Sequence, residues 1–173
     1  PALVQKVVAI AKGYTTRVGS GPFPTECEDE IGEQMRTSGA EFGSTTGRPR
    51  RCGWLDLIAL KYAIRINGIT NLALMKVDVL SGFKEVKVCT AYELDGQIIQ
   101  EYPVSPGDLA RCKPVYETLS GWKENLCAAK SMKDLPRNAQ DYVNFIGAEL
   151  GIPIDVVSVG PGRDQTLWIK PLF

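Results

Sequence analysis

Apolar residues recur at two different spacings along this chain, and the changes between them mark out its elements. Leu3, Val7, Val8 and Ala11 fall at helical intervals and predict a short amphipathic helix over residues 2–12. Tyr14-Thr15-Thr16-Arg17-Val18 is aromatic and β-branched and predicts a strand. Gly19, Gly21, Pro22 and Pro24 then require a loop, with enough proline to make it stiff. Thr25 stands before an acidic run, Glu26 to Glu30, as an N-cap stands before the positive end of a helix. The helix so predicted carries Ile31 and Met35 on one face and stops near Gly39. After a polar loop a further helix is expected to open at Trp54. Asp56 lies in its first turn, Leu57, Leu60 and Ile64 form its stripe, and Asn67-Gly68 ends it.

The second half reads differently. Asn71 to Leu80 is a mostly buried strand running into a loop. Glu85-Val86-Lys87-Val88-Cys89 alternates, and Asp95-Gly96 between two strand-like runs signals a tight hairpin, so residues 85–122 form an antiparallel β excursion. Asn138 to Leu150 is a last helix with Tyr142, Phe145, Ile146 and Leu150 on its apolar side, closed by Gly151. Ile154 to Val159 is another buried strand, and residues 166–170 a final short one. Three apolar strands, near 14–18, 71–78 and 154–159, are thus separated by helices. That pattern predicts an α/β fold with a largely parallel sheet and flanking helices. Ligands in such folds sit at the carboxyl ends of the strands.

Composition adds limits. A length of 173 residues suits a single domain with one substantial core, and 44% apolar residues is a globular value. Lys+Arg and Asp+Glu are both 20, which argues against a general attraction to nucleic acid or membrane. Five cysteines without a CxxC pair read as free thiols of a reducing compartment. No apolar run approaches the roughly 20 residues of a membrane helix. Histidine is absent, so a mechanism that needs an imidazole base is incomplete within these residues. The chain opens at Pro1, which suits either a trimmed terminus or a cut inside a longer protein.

Four loops carry the candidate chemistry. Gly43 to Trp54 holds Arg48, Arg50 and Arg51 with Ser44, Thr45, Thr46 and Gly47. Such a loop is either a solvated basic turn or, beside a helix N-terminus, a site for a ligand with several anionic groups. Lys76-Val77-Asp78 is either a strand end reaching solvent or a guanine-recognition element. In the second case the carboxylate accepts from N1–H and the exocyclic amine together, and the lysine stem lies over the base. GTPases use Asn-Lys-x-Asp for this, and Met75 stands where the asparagine would be. Ser158-Val159-Gly160-Pro161-Gly162 is either a turn after a strand or a backbone that a flat base can approach closely. Thr16 to Pro24 is a shaped loop of structural or binding use. No GxxxxGK[ST] loop occurs and no cluster suggests a metal site.

Taken together these segments resemble adenylosuccinate synthetases. The resemblance rests on Tyr14-Thr-Thr-Arg-Val-Gly-Ser-Gly-Pro-Phe-Pro-Thr-Glu26 and Glu41-Phe-Gly-Ser-Thr-Thr-Gly-Arg-Pro-Arg-Arg-Cys-Gly-Trp-Leu-Asp56. Lys76-Val-Asp-Val-Leu80, Tyr116-Glu-Thr-Leu-Ser-Gly-Trp122 and Val157-Ser-Val-Gly-Pro-Gly-Arg163 extend it in the family's order. It implies the C-terminal part of a larger P-loop-like GTP-dependent ligase fold that joins IMP to L-aspartate with GTP and Mg²⁺. It further implies a cytoplasmic homodimer that binds neither a nucleic acid polymer nor a membrane. Val18, Ser44, Thr45, Thr46, Gly47, Arg48 and Arg50 are then expected at aspartate and IMP, and Arg50, Lys76, Val77, Asp78, Ser158, Val159 and Gly160 at GTP. The family's phosphate loop, catalytic aspartate and catalytic histidine have no counterpart in these residues, so no catalytic residue or metal ligand is expected here. Two other readings stand beside it: a guanine-nucleotide module without catalysis, and an RNA-binding domain. The last is opposed by charge confined to one loop and by the lack of an aromatic platform.

Overall fold

The computed structural model describes residues 3–171. In chain order the strands are β1 (Val8–Lys12), β2 (Thr15–Arg17), β3 (Arg51–Gly53), β4 (Leu55–Asp56), β5 (Asn71–Met75), β6 (Glu85–Leu94), β7 (Gln97–Ile99), β8 (Lys113–Ser120), β9 (Ile154–Ser158) and β10 (Thr166–Trp168). The α-helices are α1 (Glu30–Ser38), α2 (Leu57–Asn67), α3 (Pro106–Arg111) and α4 (Arg137–Leu150). The chain divides into two compact units. Among the described residues the first comprises 3–13, Leu60–Val86 and 119–171, and the second Tyr14–Ala59 and Lys87–Thr118.

The first unit is built on a sheet of order β1-β5-β9-β10. β1, β5 and β9 are parallel, with Ile10 opposite Ala73 and Leu74 opposite Val157, and β10 closes one side antiparallel to β9. All five residues of β9 are buried, as expected of a strand covered on both faces. α4 buries Ala139, Tyr142, Val143, Ile146 and Leu150 and ends at Gly151, whose φ of 66° is the left-handed cap the sequence predicted. The Tyr142 hydroxyl donates to the Gly13 carbonyl at 2.5 Å, and its ring meets Trp122 at 5.7 Å between centroids.

The parallel sheet is therefore as predicted, but its first strand is not. Residues 8–12 form β1 rather than part of a helix, and Ala2, the predicted helix start, lies outside the described residues. The run Val7-Val8-Ala9-Ile10 is as continuous as it is periodic. Its backbone gains a full row of partners along β5, whereas an isolated helix of that length is marginal. Ile10 is left 78% exposed, as an edge strand allows.

In the second unit β2 pairs with β3 antiparallel, Thr16 opposite Cys52, so the strand predicted at 14–18 belongs to a small two-stranded sheet. Here two more expectations are corrected. α1 is capped by Asp29, whose carboxylate accepts from the N–H groups of Ile31 and Gly32, while Thr25 is fully buried. The Thr25 carbonyl instead accepts from the Trp54 N–H at 3.1 Å. The second helix opens at Leu57, because Trp54 is flanked by β3 and β4. Asp56 stands at the mouth of α2 and accepts from the Ala59 N–H at 3.1 Å. β4 runs parallel to β6, and β6 turns into β7 through Asp95 and Gly96, both at positive φ, as the hairpin signal predicted. β8 also pairs with β6, and α3 adds a turn of helix that the strand-rich reading of 85–122 did not anticipate. Ile58, Cys89, Tyr92, Leu109 and Cys112 form a local core. All five cysteines are free.

Candidate functional site

The arginine stretch lies wholly in the second unit, and its three guanidiniums have three environments. Arg51 sits on β3. Its Nε donates to Glu26 at 2.7 Å, its Nη2 meets the other oxygen of the same carboxylate, and its Nη1 donates to the carbonyls of Gly19 and Gly21 at 3.2 and 2.8 Å. The charged cation also lies 5.5 Å from the centre of the Phe23 ring. The Gly19–Glu26 loop is thus folded around Arg51, whose three guanidinium nitrogens all donate within the protein. Arg50 is half committed: Nη1 donates to Glu41 at 2.8 Å, while Nε is buried without a partner. Arg48 is exposed, and its guanidinium has no partner among the described residues.

The loop between Phe42 and Arg50 is closed by its own backbone. Phe42 pairs with Pro49 as an antiparallel bridge, Gly43 N–H donates to the Arg48 carbonyl at 2.8 Å, and Gly47 N–H donates to the Gly43 carbonyl at 2.8 Å. Gly47 sits at φ 65°, a conformation few side-chain-bearing residues adopt. Ser44, Thr45 and Thr46 are exposed around that turn, and Val18 is 73% exposed after β2. The helix N-terminus that the sequence put beside the guanidiniums is absent there, since β3 and β4 intervene. The anion-binding capacity of this loop is therefore one unpaired fork, part of a second, and hydroxyls.

In the first unit the ends of the adjacent strands β5 and β9 bring two separate predicted segments together. Lys76 takes a left-handed φ of 61°, a strain of about 1 kcal/mol for a residue with a Cβ. Its N–H donates to the Ser158 hydroxyl oxygen at 3.2 Å, and the Ser158 hydroxyl reaches the Gly160 carbonyl at 3.4 Å. Val77 and Val159 are fully buried and anchor the two turns. Asp78 is half-buried, and its Oδ1 is buried with no hydrogen-bond partner. Desolvation raises its carboxyl above the ordinary range, opposed by a hydrogen bond from its own backbone N–H and then by nearby Lys76. Asp78 lines a cleft of about 300 Å³ with Ser81, Gly82, Lys123, Asn125 and Cys127. Gly160 is tight as well: a Cβ there would come within 2.3 Å of Gln165 Oε1 and 3.1 Å of Cys127 Sγ.

A carboxylate oxygen without a donor, in a residue on the wall of a cleft, suits a ligand that donates hydrogen bonds. The sequence profile of a family described as adenylosuccinate synthetase matches residues 1–167. The chain belongs to the adenylosuccinate synthetase family. It is 62% identical over its whole length to the adenylosuccinate synthetase of Bdellovibrio bacteriovorus, of which it covers 40%. It is 56% identical to that of Acidothermus cellulolyticus, with 99% of this chain and 40% of the relative aligned. A solved structure of fully ligated adenylosuccinate synthetase from Plasmodium falciparum superposes with a TM-score of 0.93 at 41% identity, over 96% of this chain and 40% of that one. The chain spans about two fifths of the length of these relatives.

Five cleft residues escaped the sequence reading: Ser81 and Gly82, just past Leu80, and three from a distant segment. Lys123, Asn125 and Cys127 follow Trp122, whose chain runs beside Ser81 and whose indole N–H donates to Ser81 at 3.0 Å. No local pattern marks them, because they reach Asp78 only through that long-range pairing. Gln165 was missed too. Its Oε1 accepts from the Gly162 N–H at 2.8 Å, its backbone carbonyl accepts from the Val159 N–H at 2.9 Å, and its amide reaches the Cys127 carbonyl at 3.5 Å. Among the described residues no three His, Cys, Asp or Glu side chains come together to hold a metal ion.

Proposed function

We propose that this chain is the C-terminal part of an enzyme that joins IMP to L-aspartate, supplying its aspartate-holding loop and its guanine-holding segments. In the reaction so proposed, GTP phosphorylates the purine 6-oxygen. The aspartate amine then forms the new C–N bond at C6 as that phosphate leaves, giving adenylosuccinate, GDP and phosphate. The groups that move protons and the phosphate loop belong to segments outside this chain, and no step is assigned here to Mg²⁺. The whole enzyme would be a homodimer of the cytoplasm. No helix among the described residues is long and apolar enough to cross a membrane.

The observation that carries the reading is the pairing of Lys76 with Ser158 near an Asp78 carboxylate with one oxygen lacking a donor, in a chain whose residues 1–167 match this family. Asp78 would accept from N1–H and the 2-amino group of guanine. Adenine presents neither donor at those positions, so the same carboxylate would stay unpaired against it, at a cost of several kcal/mol. Lys76 and Gly160 would lie about the base, on turns anchored by the buried Val77 and Val159. In the loop of the second unit, Arg48 would grip the carboxylates of aspartate, with Ser44, Thr45, Thr46 and the Gly47 backbone adding donors. Val18 would meet IMP, and Arg50 would reach GTP.

Base preference in the active enzyme tests this. Asp78→Asn should turn preference from guanosine towards xanthosine triphosphate, because the amide offers a donor where xanthine has a carbonyl. A competition assay in which Asp78→Asn keeps the wild-type preference would remove Asp78 from the base site.

A further inference from the structure

Glu41 takes no part in the ligand contacts proposed above, yet it is a fully buried carboxylate next to the loop that makes them. We propose that Glu41, fixed by Tyr14, is a positioning residue that holds one prong of Arg50 and turns the opposite edge of that guanidinium towards an oxyanion of a bound reactant. The proposal rests on the reading of Arg50 as a ligand-holding residue.

Glu41 divides its two oxygens. Oε1 accepts from the Tyr14 hydroxyl at 2.6 Å, and Oε2 accepts from Arg50 Nη1 at 2.8 Å. Tyr14 is 2% exposed, so this end of the chain of contacts is rigid. A buried carboxylate is tolerated only with such partners, and each partner is oriented in return. The Arg50 backbone is fixed independently: its N–H donates to the Glu41 carbonyl at 2.9 Å, and its carbonyl accepts from Arg36 Nε at 2.8 Å. Held at its backbone and at Nη1, the side chain has little freedom left.

What remains is the edge formed by Nε and Nη2. Nε is buried and unpartnered, and Nη2 has no partner among the described residues. Those two nitrogens together are the edge that grips two oxygens of a carboxylate or phosphate. Arg51 is the contrast within the same loop. Its Nε–Nη2 edge is closed on Glu26 and its Nη1 on two carbonyls, as a guanidinium of purely structural use would be. A buried donor left open beside a neighbour whose three nitrogens all have protein partners marks Arg50 as waiting for an anion, and Glu41 as the group that aims it.

A double-mutant cycle in the active enzyme decides this. Glu41→Gln keeps the shape of the side chain and is expected to lower kcat about tenfold or more, the scale of a slightly misplaced reactant, with the KM for IMP unchanged. In the Arg50→Ala background the same change should cause no further loss. Tyr14→Phe should cause a smaller loss that also vanishes in that background, and it carries the decision if Glu41→Gln does not fold. Losses that simply multiply with that of Arg50→Ala overturn the positioning role alone. An Arg50→Ala enzyme with wild-type kinetics overturns both that role and the ligand-holding reading of Arg50.

Discussion

Arg51 commits all three of its guanidinium nitrogens to Glu26 and two carbonyls, while the guanidinium of Arg48, three positions earlier, has no partner among the described residues. In the sequence these residues are equivalent members of one basic cluster, because charge and spacing say nothing of which partner each finds. Arg48→Leu is accordingly expected to raise the KM for aspartate at least about tenfold, the loss of one charge-assisted pair, with the KM for GTP little changed. Steady-state kinetics with each substrate varied in turn measure the split, and an equal loss on both would count against the aspartate-holding role. Asp56 shows residue-scale chemistry of another kind. Desolvation lifts its carboxyl above the ordinary 3.8, against hydrogen bonds from Tyr92 and the first amides of α2. For an acid with a raised folded value, stability is fully present below the unfolded value and is lost as pH rises through the folded one, since the unfolded chain releases its proton first. Urea unfolding across that window should show stability falling with pH, and Asp56→Asn should lose this component. Parallel pH profiles for the two proteins would contradict it.

At the scale of elements, β5, β9, α4 and the Asp95-Gly96 hairpin were legible because each is specified by its own residues: apolar runs of strand length, a helical stripe closed by glycine, and a turn that needs positive φ twice. β1 was not. Its residues satisfy both periods, and the choice fell to the partner strand, Val8 lying opposite Asn71. The start of α2 was missed for a related reason. Cys52 and Gly53 carry no strand signal, but Gly53 lies so close to the chain at Thr25 that a Cβ would come within 2.0 Å of its carbonyl oxygen. Backbone, not a flexible side chain, fills that space. Gly53→Ala should therefore destabilise the fold by about 3 kcal/mol or more, in the range of severe overpacking. Ser44→Ala, on the exposed turn of the same loop, should change stability by under about 0.5 kcal/mol. Thermal unfolding of the pair checks this, and a Gly53→Ala protein with wild-type stability would mean that β2, β3 and the Thr25 segment can separate at no cost.

The whole molecule consists of two compact units, each with its own buried apolar side chains. Their protection should differ from place to place. Native-state hydrogen exchange is expected to be slowest in β5 and β9, where nearly every residue is buried, and fastest in residues 43–48, where the side chains are exposed and only a few turn bonds hold the backbone. Exchange in that loop as slow as in β9 would contradict the adaptable holding loop that the proposed function requires.

By itself the sequence determined the parallel α/β class, the positions of most elements, and the segments that belong to the adenylosuccinate synthetase family. Those features are local, since periodicity, turn chemistry and motif order are each written in consecutive residues. Only the tertiary structure decided which of three arginines is unpaired, that Ser158 meets Lys76 across 82 positions, and that Asp78 keeps an oxygen without a donor. Hydrogen-bond satisfaction and burial depend on what the rest of the chain brings near a group, and that is fixed only when the strands pair and the loops close over them.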